Sequence, residues 1–215
     1  MKESPIIMSQ PMMKAYLDGR KTQTRRLKGL EMINKNPDDW TFVGFGTNPD
    51  KESDKRMYAY FKTGYDTWMY ILCPYGYIGD ILWVRETFCP VTIGYAYKAD
   101  GVYIESPAWI WKPSIFMPKE ACRIRLLITN VKVERLQEIS KKDAIAEGIE
   151  KRNIYNINAF RIYGSPKLDN GQELQSYDEN PINSYWSLWD SINGKVNDWL
   201  SNPFIFVYEF EKYKS

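Results

Sequence analysis

Gly19-Arg20-Lys21-Thr22-Gln23-Thr24-Arg25-Arg26 is the stretch on which the reading of this chain turns. It extends to Lys28, so Arg20, Lys21, Arg25, Arg26 and Lys28 share a short window with no acidic residue. Such density favours an anionic partner, and the interleaved Thr22 and Thr24 can add hydrogen bonds to a phosphate or a base. A solvated basic face is the plainer alternative; the turn residue Gly19 and the hydroxyls favour a site. Just upstream, Ser9-Gln10-Pro11 and Gly19 bracket residues 12–18 with the punctuation of a short helix, Pro at its start and Gly just past its end. Residues 22–26 then read as extended.

Further out, Pro74 to Asp80 is a turn that introduces a strand over 81–88, and a second strand candidate covers 95–98. Residues 123–135 alternate as Ile124, Leu126, Ile128 and then slip phase to Val131, Val133, which predicts a bulge near Thr129-Asn130. Ser140-Lys141-Lys142-Asp143 resembles a capping box, and Gly148 ends the helix that follows. Pro181 starts a helix carrying Tyr185, Trp186, Leu188, Trp189 and Ile192, and the closing strand places Phe204, Phe206, Tyr208 and Phe210 on one face. Trp186, Trp189 and Trp199 are expected in the core. Residues 28–66 and 151–180 are polar and read as two insertions outside that core. Together these elements predict an α+β fold: one domain over 1–215, built on a small, curved β-barrel flanked by short helices.

Composition narrows the chemistry. The chain has 215 residues, 44% apolar and 26% charged, an ordinary globular balance. A net charge of +2 does not by itself imply nucleic acid, so clustering has to carry that argument. Three dispersed cysteines, no apolar leader and no long apolar run lead to the expectation of a cytoplasmic protein that does not use a membrane. There is no histidine at all. That removes Ser-His-Asp and Cys-His nucleophile systems and the usual His-containing zinc sites. Gly44-Phe45-Gly46 and Gly194-Lys195 lack the rest of a dinucleotide or Walker motif, and no cofactor or metal is expected.

The motif G-R-K-T-x-T-x-R after a short helix resembles the leading motif of ASCH domains, members of the PUA-like superfamily. The likeness continues through Gly79-Asp80-Ile81-Leu82-Trp83-Val84-Arg85-Glu86, the 139–148 helix and the closing Tyr208-Glu209-Phe210. Cys73-Pro74-Tyr75-Gly76, Trp111-Lys112-Pro113-Ser114 and Met117-Pro118 resemble the long form carried by phages and prophages. The resemblance implies a PUA-like barrel that binds RNA or a modified nucleoside. One branch of the family hydrolyses the acetyl amide of N(4)-acetylcytidine with a Lys, a Thr and a Glu. Lys21 and Thr24 match the first two by motif, and Glu147 falls where the third is expected.

That chemistry needs no histidine. Thr24 would attack the amide carbonyl after passing its proton to neutral Lys21, with Arg20 and Arg25 supplying positive field. Glu147 would orient the ammonium or help protonate the leaving amine. Positions three apart on a regular strand face opposite sides, so Lys21 and Thr24 meet only if the strand start is bent. Ordinary strand propensity for Thr24 and a solvated helix end for Glu147 are the alternatives. Arg20, Arg25, Arg26, Trp83, Arg85, Glu86, Trp111 and Lys112 are the candidate ligand-binding residues. Trp83 beside Arg85 can stack a base and hold its phosphate, or it can be core with Arg85 paired to an acid. The loop around Trp111 and Lys112 either covers the cleft or plugs the barrel's end. Three functions follow: RNA or modified-nucleoside binding, amide hydrolysis on N(4)-acetylcytidine, or a phage accessory protein that docks another protein.

Overall fold

In the strand Phe204–Lys212, five consecutive residues, Phe204 to Tyr208, are all buried, so the strand is covered on both faces. Phe204, Phe206, Tyr208 and Phe210 point into one hydrophobic cluster, and Ile205 and Val207 into a second. Alternation along a pleated strand produces this two-sided arrangement when both sides are packed. The computed structural model describes residues 1–102, 109–166 and 171–214.

In chain order the strands are β1 (Glu3–Ile7), β2 (Gln23–Arg26), β3 (Trp40–Thr47), β4 (Met57–Thr63), β5 (Trp68–Leu72), β6 (Ile81–Arg85), β7 (Phe88–Pro90), β8 (Tyr95–Tyr97), β9 (Arg125–Arg135), β10 (Lys151–Ile154), β11 (Ile157–Ile162), β12 (Ser176–Asp178) and β13 (Phe204–Lys212). The helices are α1 (Gln10–Leu17), α2 (Lys141–Ala146) and α3 (Pro181–Asn193). The class is α+β, mostly sheet.

The main sheet has the order β1-β6-β9-β13-β2. β1 runs parallel to β6, and the other three pairings are antiparallel. The register of β13 on β9 shifts between Glu209, opposite Asn130, and Phe210, opposite Ile128, leaving an exposed Thr129 unmatched. This is the predicted bulge, and it lets Leu126, Ile128, Val131 and Val133 all turn inward.

No closed barrel forms among the described residues. β1 and β2 are the two free edges of the sheet, and they are joined across the gap by a side chain: Arg26 Nη2 donates to the Ile7 carbonyl at 2.9 Å. The chain leaves β1 directly into α1, so the helix and not a further strand links the two edges. The edge strand β1 itself gave no clear sequence signal.

Both polar insertions prove to be structured. Residues 28–66 contribute β3 and β4, which join β5 in an antiparallel sheet, and Leu30, Ile33, Ala59 and Phe61 enter the first core. The Phe61 ring lies 5.3 Å from that of Phe204 at 78°. A register shift between Phe42 and Gly44 breaks the alternation that would have announced β3. Residues 151–180 form β10-β11-β12, although 167–170 lie outside the described residues. This sheet packs on α3, where Ser184 Oγ donates to the Arg161 carbonyl at 2.5 Å.

The helix boundaries follow the expected punctuation. Ser140 Oγ accepts from the Asp143 amide at 3.1 Å and donates to Asp143 Oδ2 at 2.7 Å, which caps α2. Gly148 ends α2 with φ +90°, and Gly19 follows α1 with φ +73°. Trp189 and Trp199 are buried, whereas Trp186 is 38% exposed and stacks on Trp199 with centroids 5.7 Å apart. Among the described residues no helix is long and apolar enough to cross a membrane.

Candidate functional site

Two helix ends deliver the central pair of residues. At the exit of α1, the Arg20 and Lys21 amides both donate to the Ala15 carbonyl, which holds the chain in a tight bend. The Thr22 amide then donates to Ala146 O at the exit of α2, and Lys21 pairs with Glu147 as an isolated antiparallel bridge. Regular strand geometry begins only at Gln23, where β2 pairs with β13 and Thr24 stands opposite Tyr208. Lys21 therefore lies before the strand's alternation, and the bend brings it and Thr24 to the same cleft.

This cleft has a volume of about 460 Å³ and occupies the region between the two sheet edges. Ile7, Met8 and Ser9 wall one side, β2 another, and Tyr185, Leu188, Trp189 and Ile192 of α3 close it. At its buried end, Lys21 Nζ donates to Glu147 Oε2 at 2.9 Å and to the Glu147 carbonyl at 2.8 Å. Glu147 Oε1 accepts from Arg25 Nη1 at 3.0 Å. Arg25 Nε and Nη2 reach Glu134 Oε1 of β9 at 3.1 and 2.7 Å. Lys21, Thr24, Arg25 and Glu147 are all at most 6% exposed.

Burial at this depth penalises the Lys21 ammonium and pulls its pKa below the ordinary lysine value; Glu147 opposes the shift, and Arg26 and Arg25 add to it. For Arg25, burial works against the charge but is outweighed by Glu147, Tyr185 and Glu134, so it stays firmly protonated. Glu147 has both carboxylate oxygens engaged by cations. These charge-assisted bonds fix the position of the Lys21 side chain. The Thr24 hydroxyl makes no hydrogen bond to any described residue, Lys21 included.

The other expected ligand-binding residues separate into groups. Arg25 lines the cleft but is spent on Glu134 and Glu147, which removes it as a free phosphate contact. Arg26 and Lys28 line the cleft with no carboxylate partner among the described residues; Lys28 Nζ lies 5.5 Å from the Tyr75 ring centroid. Arg20 turns away, donating to the Gly148 carbonyl at 2.7 Å and to Asp18 at 3.1 Å, and borders a neighbouring cleft instead.

Trp83, Arg85, Glu86, Trp111 and Lys112 do not line the Lys21 cleft. The Arg85 guanidinium covers the Trp83 ring at 5.5 Å and reaches the Ile115 carbonyl, so that ring is no free stacking platform. Glu86 is 2% exposed and holds Arg123 bidentately at 2.8 and 2.9 Å; it is an internal anchor, not a charge at a barrel mouth. Lys112 pairs its backbone with Phe88 of β7, and Trp111 precedes it there.

Tyr185 and Glu134 were not singled out from the sequence as site residues. Tyr185 falls in the apolar stripe of α3, where it reads as core, and Glu134 has no sequence signal, because only the pairing of β9 with β13 sets it beside Arg25. Among the described residues, no cluster of His, Cys, Asp or Glu is arranged to hold a metal ion. No protein-family model, curated protein or solved structure matches this chain, so the site stands on its own geometry.

Proposed function

We propose that this chain is an ASCH-type, PUA-like protein that binds a modified nucleoside in the Lys21–Thr24 cleft and hydrolyses an amide on its base, with N(4)-acetylcytidine as the reference substrate. One observation carries the reading: a lysine whose charge is disfavoured by burial and oriented by Glu147 shares a cleft with a threonine hydroxyl that has no hydrogen-bond partner among the described residues. A nucleophile beside a base of lowered pKa, itself held by a third group, is the arrangement acyl transfer needs.

In this reaction Thr24 Oγ1 bonds to the acyl carbon, its proton passes to Lys21 Nζ, and the carbonyl electron pair moves onto oxygen. Collapse breaks the carbon–nitrogen bond while Lys21 returns the proton to the departing amine. Water then attacks the acyl-threonine, again giving its proton to Lys21, which passes it to Thr24 as acetate leaves. Lys21 thus serves as both base and acid, and Glu147 keeps it aimed. The cleft's size suits a single nucleoside better than a folded RNA, and the apolar wall from α3 suits a base.

Acetate release from N(4)-acetylcytidine tests the reading. Thr24→Val should abolish it while leaving thermal unfolding close to wild type; Lys21→Met should abolish it too, with a lower unfolding temperature because it breaks the buried pair with Glu147. An inactive wild type would leave a binding protein, and a Thr24→Val variant as fast as wild type would exclude threonine as nucleophile. Binding without turnover, to RNA or a nucleotide, is the second reading, and the uncompensated charges of Arg26 and Lys28 on the cleft favour it.

A further inference from the structure

A tetrahedral intermediate needs a hydrogen-bond donor for its oxyanion, and at the buried end of this cleft almost every donor is already engaged. Lys21 Nζ is bonded twice to Glu147. Arg25 Nε, Nη1 and Nη2 are bonded to Glu134 and Glu147. Thr24 is consumed as the nucleophile. Among the donors left without a partner on the described residues that line the cleft are Arg26 Nε and the phenol of Tyr185, and the phenol is the one carried on a ring packed against Arg25 at the buried end.

Tyr185 is 3% exposed, yet its hydroxyl makes no hydrogen bond to any described residue. The phenol oxygen is not among the fully enclosed atoms without a partner, so the hydroxyl still opens onto the cleft. Its ring is fixed: the Arg25 guanidinium lies 5.7 Å from its centroid, and the rings of Trp189 and Trp199 lie 6.3 and 6.5 Å away. The unbonded hydroxyl is therefore presented to the cleft by a side chain with little freedom to leave. Burial first, and Glu147 second, push its pKa well above the ordinary tyrosine value, so the proton it would donate stays in place at any working pH.

Building on the hydrolase reading above, we infer that Tyr185 is a further catalytic residue, donating its hydroxyl hydrogen to the acyl oxygen as negative charge builds there. The bond strengthens as the carbonyl electron pair moves onto oxygen and weakens as that pair returns to expel the amine; no proton is transferred. An interaction stronger in the transition state than in the bound substrate acts on kcat more than on KM.

The experiment compares wild type and Tyr185→Phe for acetate release from N(4)-acetylcytidine, for affinity towards cytidine, and for thermal unfolding. Phenylalanine keeps the ring contacts and removes only the hydroxyl. Loss of one oxyanion donor should lower kcat by about 10²–10³-fold. KM, cytidine affinity and unfolding should stay near wild type, because cytidine has no acyl oxygen. A Tyr185→Phe variant with wild-type kcat overturns the assignment. So does a loss of kcat matched by an equal loss of cytidine affinity, which would mark a packing role. Wild-type protein that releases no acetate overturns the hydrolase reading and the assignment together, whereas turnover retained in the variant overturns the assignment alone.

Discussion

Lys21 is pulled in two directions, by burial that disfavours its charge and by Glu147 that favours it. The balance has a measurable sign. As a base Lys21 works when neutral, so kcat/KM should rise with pH through an ionisation below the ordinary lysine value of about 10.4. Glu147→Gln removes the group that raises the pKa, so the rising limb should move to lower pH, while Arg25 keeps Glu134 as a partner. A limb that moves upward, or does not move, would show that Lys21 is not the titrating base. At this scale the sequence was informative about identity and much less about use. The motif picked out Lys21 and Thr24, but the same run of charge made Arg20 and Arg25 look like ligand contacts. Which guanidinium is spent internally depends on Asp18, Glu134 and Glu147, all brought up by other parts of the fold.

At the scale of elements, the site depends on the exits of α1 and α2 lying against each other. Gly148 makes that approach possible: a Cβ there would lie 2.8 Å from Ala15 Cβ and 2.9 Å from Lys21 Cβ, and its φ of +90° is already unfavourable for other residues. Gly148→Ala should cost about 1–2 kcal/mol in backbone strain alone. It should also push Lys21 off Glu147 and remove activity. Gly19→Ala is the control, since φ there is +73° but nothing lies within 4 Å of the added carbon. It should lower the unfolding temperature yet keep activity. Equal activity in both variants would contradict the role given to this contact. Helix ends were legible because Pro, Ser and Gly act locally. β3 to β5 and β10 to β12 were not, because short strands between polar loops gain their stability from the surface they cover. Leu30, Ile33 and Phe61 are core residues only once β13 is beneath them.

Across the whole molecule, most of the site's charge is internally compensated, and among the described residues only Arg26 and Lys28 leave the cleft basic. If a single-stranded RNA or oligonucleotide is the ligand, Arg26→Gln with Lys28→Gln should reduce the slope of log affinity against log salt by about 1.4 units, at ~0.7 per phosphate contact. An unchanged slope would mean that these cations meet no phosphate. Arg25→Gln is a different experiment, because it strands Glu134 and weakens the support of Glu147, at a cost of about 3–5 kcal/mol for breaking a buried pair. By itself the sequence determined the α+β class, the three helices and the Ser140 cap of α2, the β9 bulge at Thr129 and the motif that supplies Lys21 and Thr24, since period, punctuation and spacing are properties of neighbouring residues. Only the tertiary structure decided that the main sheet stays open between β1 and β2, that both insertions are sheets, and that Tyr185 and Glu134 belong to the site. The physical reason is the same in each case: sheet closure, burial and hydrogen-bond partners depend on which distant segments meet, and residues far apart in the chain carry no local mark of the neighbours they will have.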